Sequence, residues 1–190
     1  MKPTALVLVK HALPVLDPSR APREWRLGSE GELQARRLAR RLRAFVPLRL
    51  VASPEPKAWR TGELVAAELG LAVSEVEGVR ELDRPVSPLL SQADHERANE
   101  GIFADLDRRF PGAESARNAL DRFSAAVRAE LVQTRAQTLV VITHGLVISL
   151  FVGAHNDIDA FELWRTLACP AFVVLNAGPF ALREVVADAA

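Results

Sequence analysis

Two short apolar runs, each broken off at a histidine, set the main constraint on this chain. Ala5-Leu6-Val7-Leu8-Val9 runs into Lys10-His11-Ala12, and Leu139-Val140-Val141-Ile142 runs into Thr143-His144-Gly145. Four or five Val, Leu and Ile residues ending abruptly at polar ones predict a buried strand. If both strands lie parallel in one sheet, both histidines leave it at the carboxyl edge, where open α/β sheets bind ligands. An imidazole near neutral pH can be base or nucleophile, so a converging pair points to chemistry.

The rest of the chain alternates strand and helix patterns, as a single α/β domain over residues 1–190 would. Ser29-Glu30-Gly31-Glu32 has capping-box spacing and predicts a helix start, with Leu33, Leu38, Leu42 and Phe45 as its apolar face. Leu48–Val51 reads as a second strand. Ser53-Pro54 then reads as an N-cap and first helical residue, with Gly70 ending that helix. A weak third strand at Ala72–Val76 leads to Arg80-Glu81-Leu82. Residues 85–113 carry a polar helix, Glu114 to Gln133 an amphipathic one, and Leu146 begins a buried helix. A helix over Phe161–Leu167 and strands at Ala171–Leu175 and Phe180–Val186 close the chain.

A chain of 190 residues can bury roughly 70% of the surface its unfolded form exposes. No apolar run reaches the ~20 residues of a membrane span, and Met1-Lys2-Pro3-Thr4 leaves no room for a leader. The single cysteine, Cys169, reads as buried filler and fits a reducing cytoplasm. Zero net charge hides an asymmetry: residues 20–60 carry eleven Lys/Arg against four Asp/Glu, and residues 61–121 six against thirteen. Much of the basic block is Arg36, Arg37, Arg40, Arg41 and Arg43 in one helix, which reads as a solvated face. Little aromatic interleaving and overall neutrality argue against nucleic acid as a partner, and membrane is likewise not expected.

Phosphate chemistry needs a nucleophile, cations for the phosphoryl oxygens and an acid for the leaving group. His11 and His144 supply imidazoles. Lys10 precedes the first, and Lys57 and Arg60 lie in the first turns after Ser53-Pro54, near helical amides that favour an anion. Glu81 follows the third strand and can carry a proton. Arg20, Arg23 and Arg84 are loop cations able to reach the same place. His95 and His155 read as surface and loop histidines without metal-ligand spacing, and Trp25, Trp59 and Trp164 as packing anchors, with Trp25 in a loop able to roof the site.

The order Lys10-His11-Ala12, Leu27-Gly28-Ser29-Glu30-Gly31 with Gln34-Ala35, and Ser53 to Thr61 resembles the histidine phosphatase superfamily, which includes the phosphoglycerate mutases. Arg80-Glu81, Gly112-Ala113-Glu114-Ser115 with Arg122, and Thr143-His144-Gly145 continue it, over roughly residues 4–175. The resemblance implies a three-layer α/β/α sandwich with a mostly parallel central sheet. It implies a phosphohistidine on His11, hydrogen bonding by His144, proton transfer by Glu81, and neither metal nor other cofactor. Lys10, Lys57 and Arg60 would bind phosphate. Two departures stand out: Lys-His-Ala replaces the usual Arg-His-Gly, and Lys57 replaces an arginine, losing a planar fork. The expected activity is hydrolysis of a small phosphomonoester or phosphohistidine. A weakly catalytic phospholigand-binding module and a phosphoglycerate-type mutase remain as alternatives.

Overall fold

Side-chain alternation along buried strands creates two apolar faces, and the helices divide between them. In the computed structural model, described here for residues 3–46, 48–83, 91–108 and 112–190, the elements run β1 (Ala5–Lys10), α1 (Ser29–Leu42), β2 (Leu48–Ala52), α2 (Pro56–Leu69), β3 (Val73–Glu75), α3 (Gln92–Ala104), α4 (Ala116–Gln133), β4 (Thr138–Thr143), α5 (Gly145–His155), α6 (Ala160–Thr166), β5 (Ala171–Asn176) and β6 (Leu182–Val186). The sheet order is β3-β2-β4-β1-β5-β6. β1 to β4 are parallel, and β5 pairs antiparallel with both β1 and β6.

Leu6, Leu8, Leu139, Val141, Val173 and Leu175 face the side covered by α4 and α5, where Phe123 and Phe151 meet edge to face at 5.5 Å. Val7, Val9, Val140, Ile142 and Val174 face the other side and pack on Leu38, Leu42 and Val65 of α1 and α2. Each such side chain contributes about 1.5–3 kcal/mol by leaving water. The result is the expected three-layer α/β/α sandwich. Among the described residues no helix is long and apolar enough to cross a membrane.

Some local signals read differently in three dimensions. The capping box at Ser29 does not form, because Gly28 is the N-cap and no side chain bonds to it. Leu33 is 44% exposed, since α1 turns Gly31, Ala35, Leu38, Ala39 and Leu42 inward instead. The second helix starts at Pro56 with Glu55 as N-cap, two residues beyond Pro54, because Ser53 still continues the sheet by donating its N–H to Ile142 O at 2.9 Å. Ser115 caps α4, so that helix begins after Glu114. The last strand begins at Leu182, beyond Phe180, whose φ is +58°. His155 closes α5 rather than lying in a loop. The basic face of α1 is solvated as expected: Arg36, Arg37, Arg40, Arg41 and Arg43 are all exposed. Arg84 and the start of the 85–113 segment lie outside the described residues.

Two glycines answer real constraints. Gly70 takes a left-handed φ of +68° to end α2. A Cβ at Gly31 would sit 2.1 Å from Leu13 O, so only glycine lets α1 approach the loop that follows His11.

Candidate active site

The register of β1 against β4 pairs Lys10 with Thr143, so the residues that follow, His11 and His144, emerge level with each other. The ladder runs one step further, with His11 N–H donating to Thr143 O at 3.0 Å. The imidazole centroids lie 5.2 Å apart in an edge-on arrangement. Both rings are nearly inaccessible yet line a cavity of about 1250 Å³ at the carboxyl edge of the sheet.

Burial holds both imidazoles well below the usual histidine value, because a cation there loses its hydration. For His11 the neighbouring His144 and Lys57 push in the same direction, and for His144 the charges of Lys57, Arg122 and Lys10 do so. A neutral His11 has one N–H and one lone pair. Nδ1 lies 2.8 Å from Ala12 O, an acceptor only, so Nδ1 carries the proton and Nε2 keeps its lone pair. His144 Nε2 lies 2.9 Å from Ser53 Oγ and 3.5 Å from Glu55 Oε1, while its buried Nδ1 has no partner among the described residues. A proton on Nε2 gives those two oxygens a donor and leaves only a lone pair unmatched at Nδ1, the less costly orphan.

Depressed histidine values carry a consequence for stability. Below about pH 6.5 the unfolded chain takes up protons that the folded chain refuses, so stability declines as pH falls through that value. We expect unfolding free energies from urea titrations to fall with a slope of up to about 1.4 kcal/mol per pH unit per histidine from pH 6.5 downward. A flat profile between pH 6.5 and 5 contradicts the buried neutral state.

Lys10 lines the cavity and donates from Nζ to Leu167 O at 2.6 Å. Lys57 sits in the first turn of α2, only 6% exposed, and donates to Pro22 O at 2.9 Å and to Glu55 Oε2 at 2.6 Å. Ala12 has no positive φ, so replacing glycine there imposes no backbone strain; its N–H donates to Thr61 Oγ1 at 3.1 Å. Glu81 also lines the cavity. Its Oε2 accepts from Leu146 N–H at 3.1 Å, and its Oε1 from Val147 N–H at 3.2 Å and Leu82 N–H at 3.0 Å. The first turn of α5 therefore holds this carboxylate at the cavity.

Arg60 does not join this group. Its guanidinium is drawn to Glu32 at 2.8 Å and Glu63 at 3.3 Å, and it is not among the residues lining the cavity. Arg20 and Arg23 line the mouth, paired with Asp17 at 3.2 Å and Asp83 at 3.5 Å. Trp25 and Trp164 form part of the cavity wall, whereas Trp59, on α2, is half-buried against the core of the sheet's other face. His95 is exposed, but it reaches the cavity rim 5.4 Å from the Trp164 ring. Cys169 is half-buried rather than buried, and desolvation pushes its thiol up.

Three contributors escape a reading of residue types alone. Ser53 orients His144. Glu55 inserts a carboxylate between Lys57 and His144; its position two residues before an expected phosphate cation was the available signal. Arg122, on α4, donates to Gly78 O at 2.9 Å, Arg80 O at 3.0 Å and Glu81 O at 3.1 Å, and pairs with Glu114. It fixes the backbone that carries Glu81.

The model of the histidine phosphatase superfamily (branch 1) matches residues 6–177. A probable phosphoglycerate mutase GpmB of Salmonella paratyphi C is 26% identical over 141 residues, covering 71% of this chain and 65% of that protein. The chain thus spans just under two thirds of the length of that relative. The structure of a mycobacterial glucosyl-3-phosphoglycerate phosphatase complexed with VO3 superposes with a TM-score of 0.77 at 22% identity, over 96% of this chain and 98% of that one. A protein from Thermus thermophilus gives 0.70 at 24% identity, over 97% and 99%. These likenesses to solved structures bear on the fold, and the family match spans nearly all of the sequence that builds the site. The chain belongs to the histidine phosphatase superfamily, branch 1.

Proposed function

We propose that this protein, acting as a single cytoplasmic domain, hydrolyses a small phosphomonoester or phosphohistidine through a phosphohistidine on His11. The observation that carries the reading is the neutral His11, whose Nδ1 proton is pinned to Ala12 O and whose Nε2 lone pair is therefore available. In the first step that lone pair forms a bond to phosphorus while the bond from phosphorus to the leaving oxygen breaks. Glu81, entering as the acid, gives its proton to that oxygen. In the second step a water attacks the phosphohistidine, Glu81 recovers a proton from the water, and the N–P bond breaks. Lys10, Lys57 and the Nε2 proton of His144 offset charge on the transferring oxygens. A relative named as a phosphatase and another named as a mutase bracket the chemistry.

The reading predicts that the purified protein releases phosphate from p-nitrophenyl phosphate at an unchanged rate when EDTA is present. Absence of turnover on a broad phosphomonoester panel, with vanadate still bound, would favour the phospholigand-binding module. Interconversion of phosphoglycerates without phosphate release would favour a mutase.

A further inference from the structure

The cavity that should receive an anion already contains one. Glu55 is the N-cap of α2, its side chain 11% exposed. One oxygen takes a hydrogen bond from Lys57 Nζ at 2.6 Å. The other accepts the Glu81 N–H at 2.9 Å and lies 3.5 Å from His144 Nε2. Two of the groups assigned above to the phosphoryl oxygens thus converge on this one carboxylate. We propose that Glu55 is a competing anion built into the phosphoryl cradle, which a phosphorylated ligand must displace and which sets the affinity of the site for oxyanions. This inference rests on the phosphatase reading.

Of the charged groups lining the cavity, Lys10 and Lys57 act on the two neutral histidines as positive charges and Glu55 stands beside them as a negative one, while Glu81 enters the first step protonated. A dianionic phosphoryl group entering between Lys57 and His144 meets a carboxylate already satisfied by the same donors. Like charges at such separations in a poorly hydrated site repel strongly. Binding therefore requires the carboxylate to leave Lys57, which lowers affinity for substrate and for product phosphate alike. After hydrolysis its return to Lys57 helps to expel inorganic phosphate. Lysine suits this exchange, because its compact ammonium can pass from carboxylate to phosphoryl oxygen without the fixed bidentate geometry of arginine.

The test is oxyanion affinity in the full-length protein, measured by calorimetry with orthovanadate and with inorganic phosphate. Glu55→Gln keeps the size of the side chain and an acceptor for the Glu81 N–H but removes the charge. Glu55→Ala empties the position and serves as the second variant, and Glu55→Asp keeps the charge. We expect Kd for both anions to fall at least about tenfold in Glu55→Gln and Glu55→Ala, corresponding to about 1.4 kcal/mol. Glu55→Asp should stay within about threefold of the parent. KM for p-nitrophenyl phosphate should fall with Kd, while kcat should not rise in proportion. Unchanged or weaker anion binding in the uncharged variants of a protein that does turn over overturns this inference alone. Equal tightening in Glu55→Asp also overturns it, since charge would not be the cause. A parent protein that neither turns over nor binds either anion, with no binding in the variants, removes the phosphatase reading and this inference together.

Discussion

His11→Ala is expected to lower turnover of p-nitrophenyl phosphate by at least about a thousandfold, corresponding to about 4 kcal/mol of transition-state stabilisation. The expectation follows from the position of the Nε2 lone pair. A nucleophile that forms a covalent intermediate divides one difficult displacement into two easier ones, and alanine offers no replacement. His144 does not substitute, because its Nε2 proton is turned toward Ser53 and Glu55. The fold should survive, since the substitution removes a desolvated imidazole at the cavity edge and leaves both apolar faces of the sheet intact. Far-ultraviolet circular dichroism checks this point. Residual activity within tenfold of the parent would assign the nucleophile elsewhere.

Arg122→Ala is expected to destabilise the protein by about 3 kcal/mol. Arg122 is 19% exposed and its partner Glu114 is 15% exposed, so solvent screens the pair only partly. Truncation removes the Arg122 donor from three carbonyls, of Gly78, Arg80 and Glu81, and leaves Glu114, among the described residues, the longer contact to Arg80 at 3.5 Å and the Asp83 N–H at 3.0 Å. Unpaired groups of this kind cost about 1–3 kcal/mol each when fully buried, and the partial exposure reduces that. For a domain of this size the loss lowers Tm by about 6–12 °C. Because Arg122 also fixes the backbone of Glu81, kcat should fall at a temperature where the variant is still folded. Differential scanning calorimetry and single-temperature kinetics separate the two effects. A Tm within about 2 °C of the parent, on the order of what a neutral surface change produces, would show that the clamp carries little.

The sheet and the meeting of the histidines were legible because both depend on long apolar runs and on where those runs stop. Residues Ala5–Val9 and Leu139–Ile142 can only be buried strands, and the polar residues that end them fall at one edge. Element ends were harder. Ser53 looks like a helix cap, but it is held by the sheet, and the cap passes to Glu55. Arg60 shows the limit of residue type as evidence: a cation one turn after Lys57 suits phosphate, yet Glu32 on α1 captures it through a tertiary contact that no local pattern carries. Glu55 carries only a faint local signal, its place two residues before Lys57. Its meaning comes from Lys57, His144 and the Glu81 amide together, and those groups lie on three separate segments.

A covalent phosphoryl group on His11 can be trapped. The protein is mixed with a phosphomonoester, quenched within milliseconds under denaturing alkaline conditions that preserve phosphohistidine, digested, and analysed by mass spectrometry. We expect a phosphoryl group on the His11 imidazole in the parent protein and none on the corresponding peptide of His11→Ala. Turnover with no modified His11 at any quench time, or a phosphoryl group on His144 instead, would contradict it.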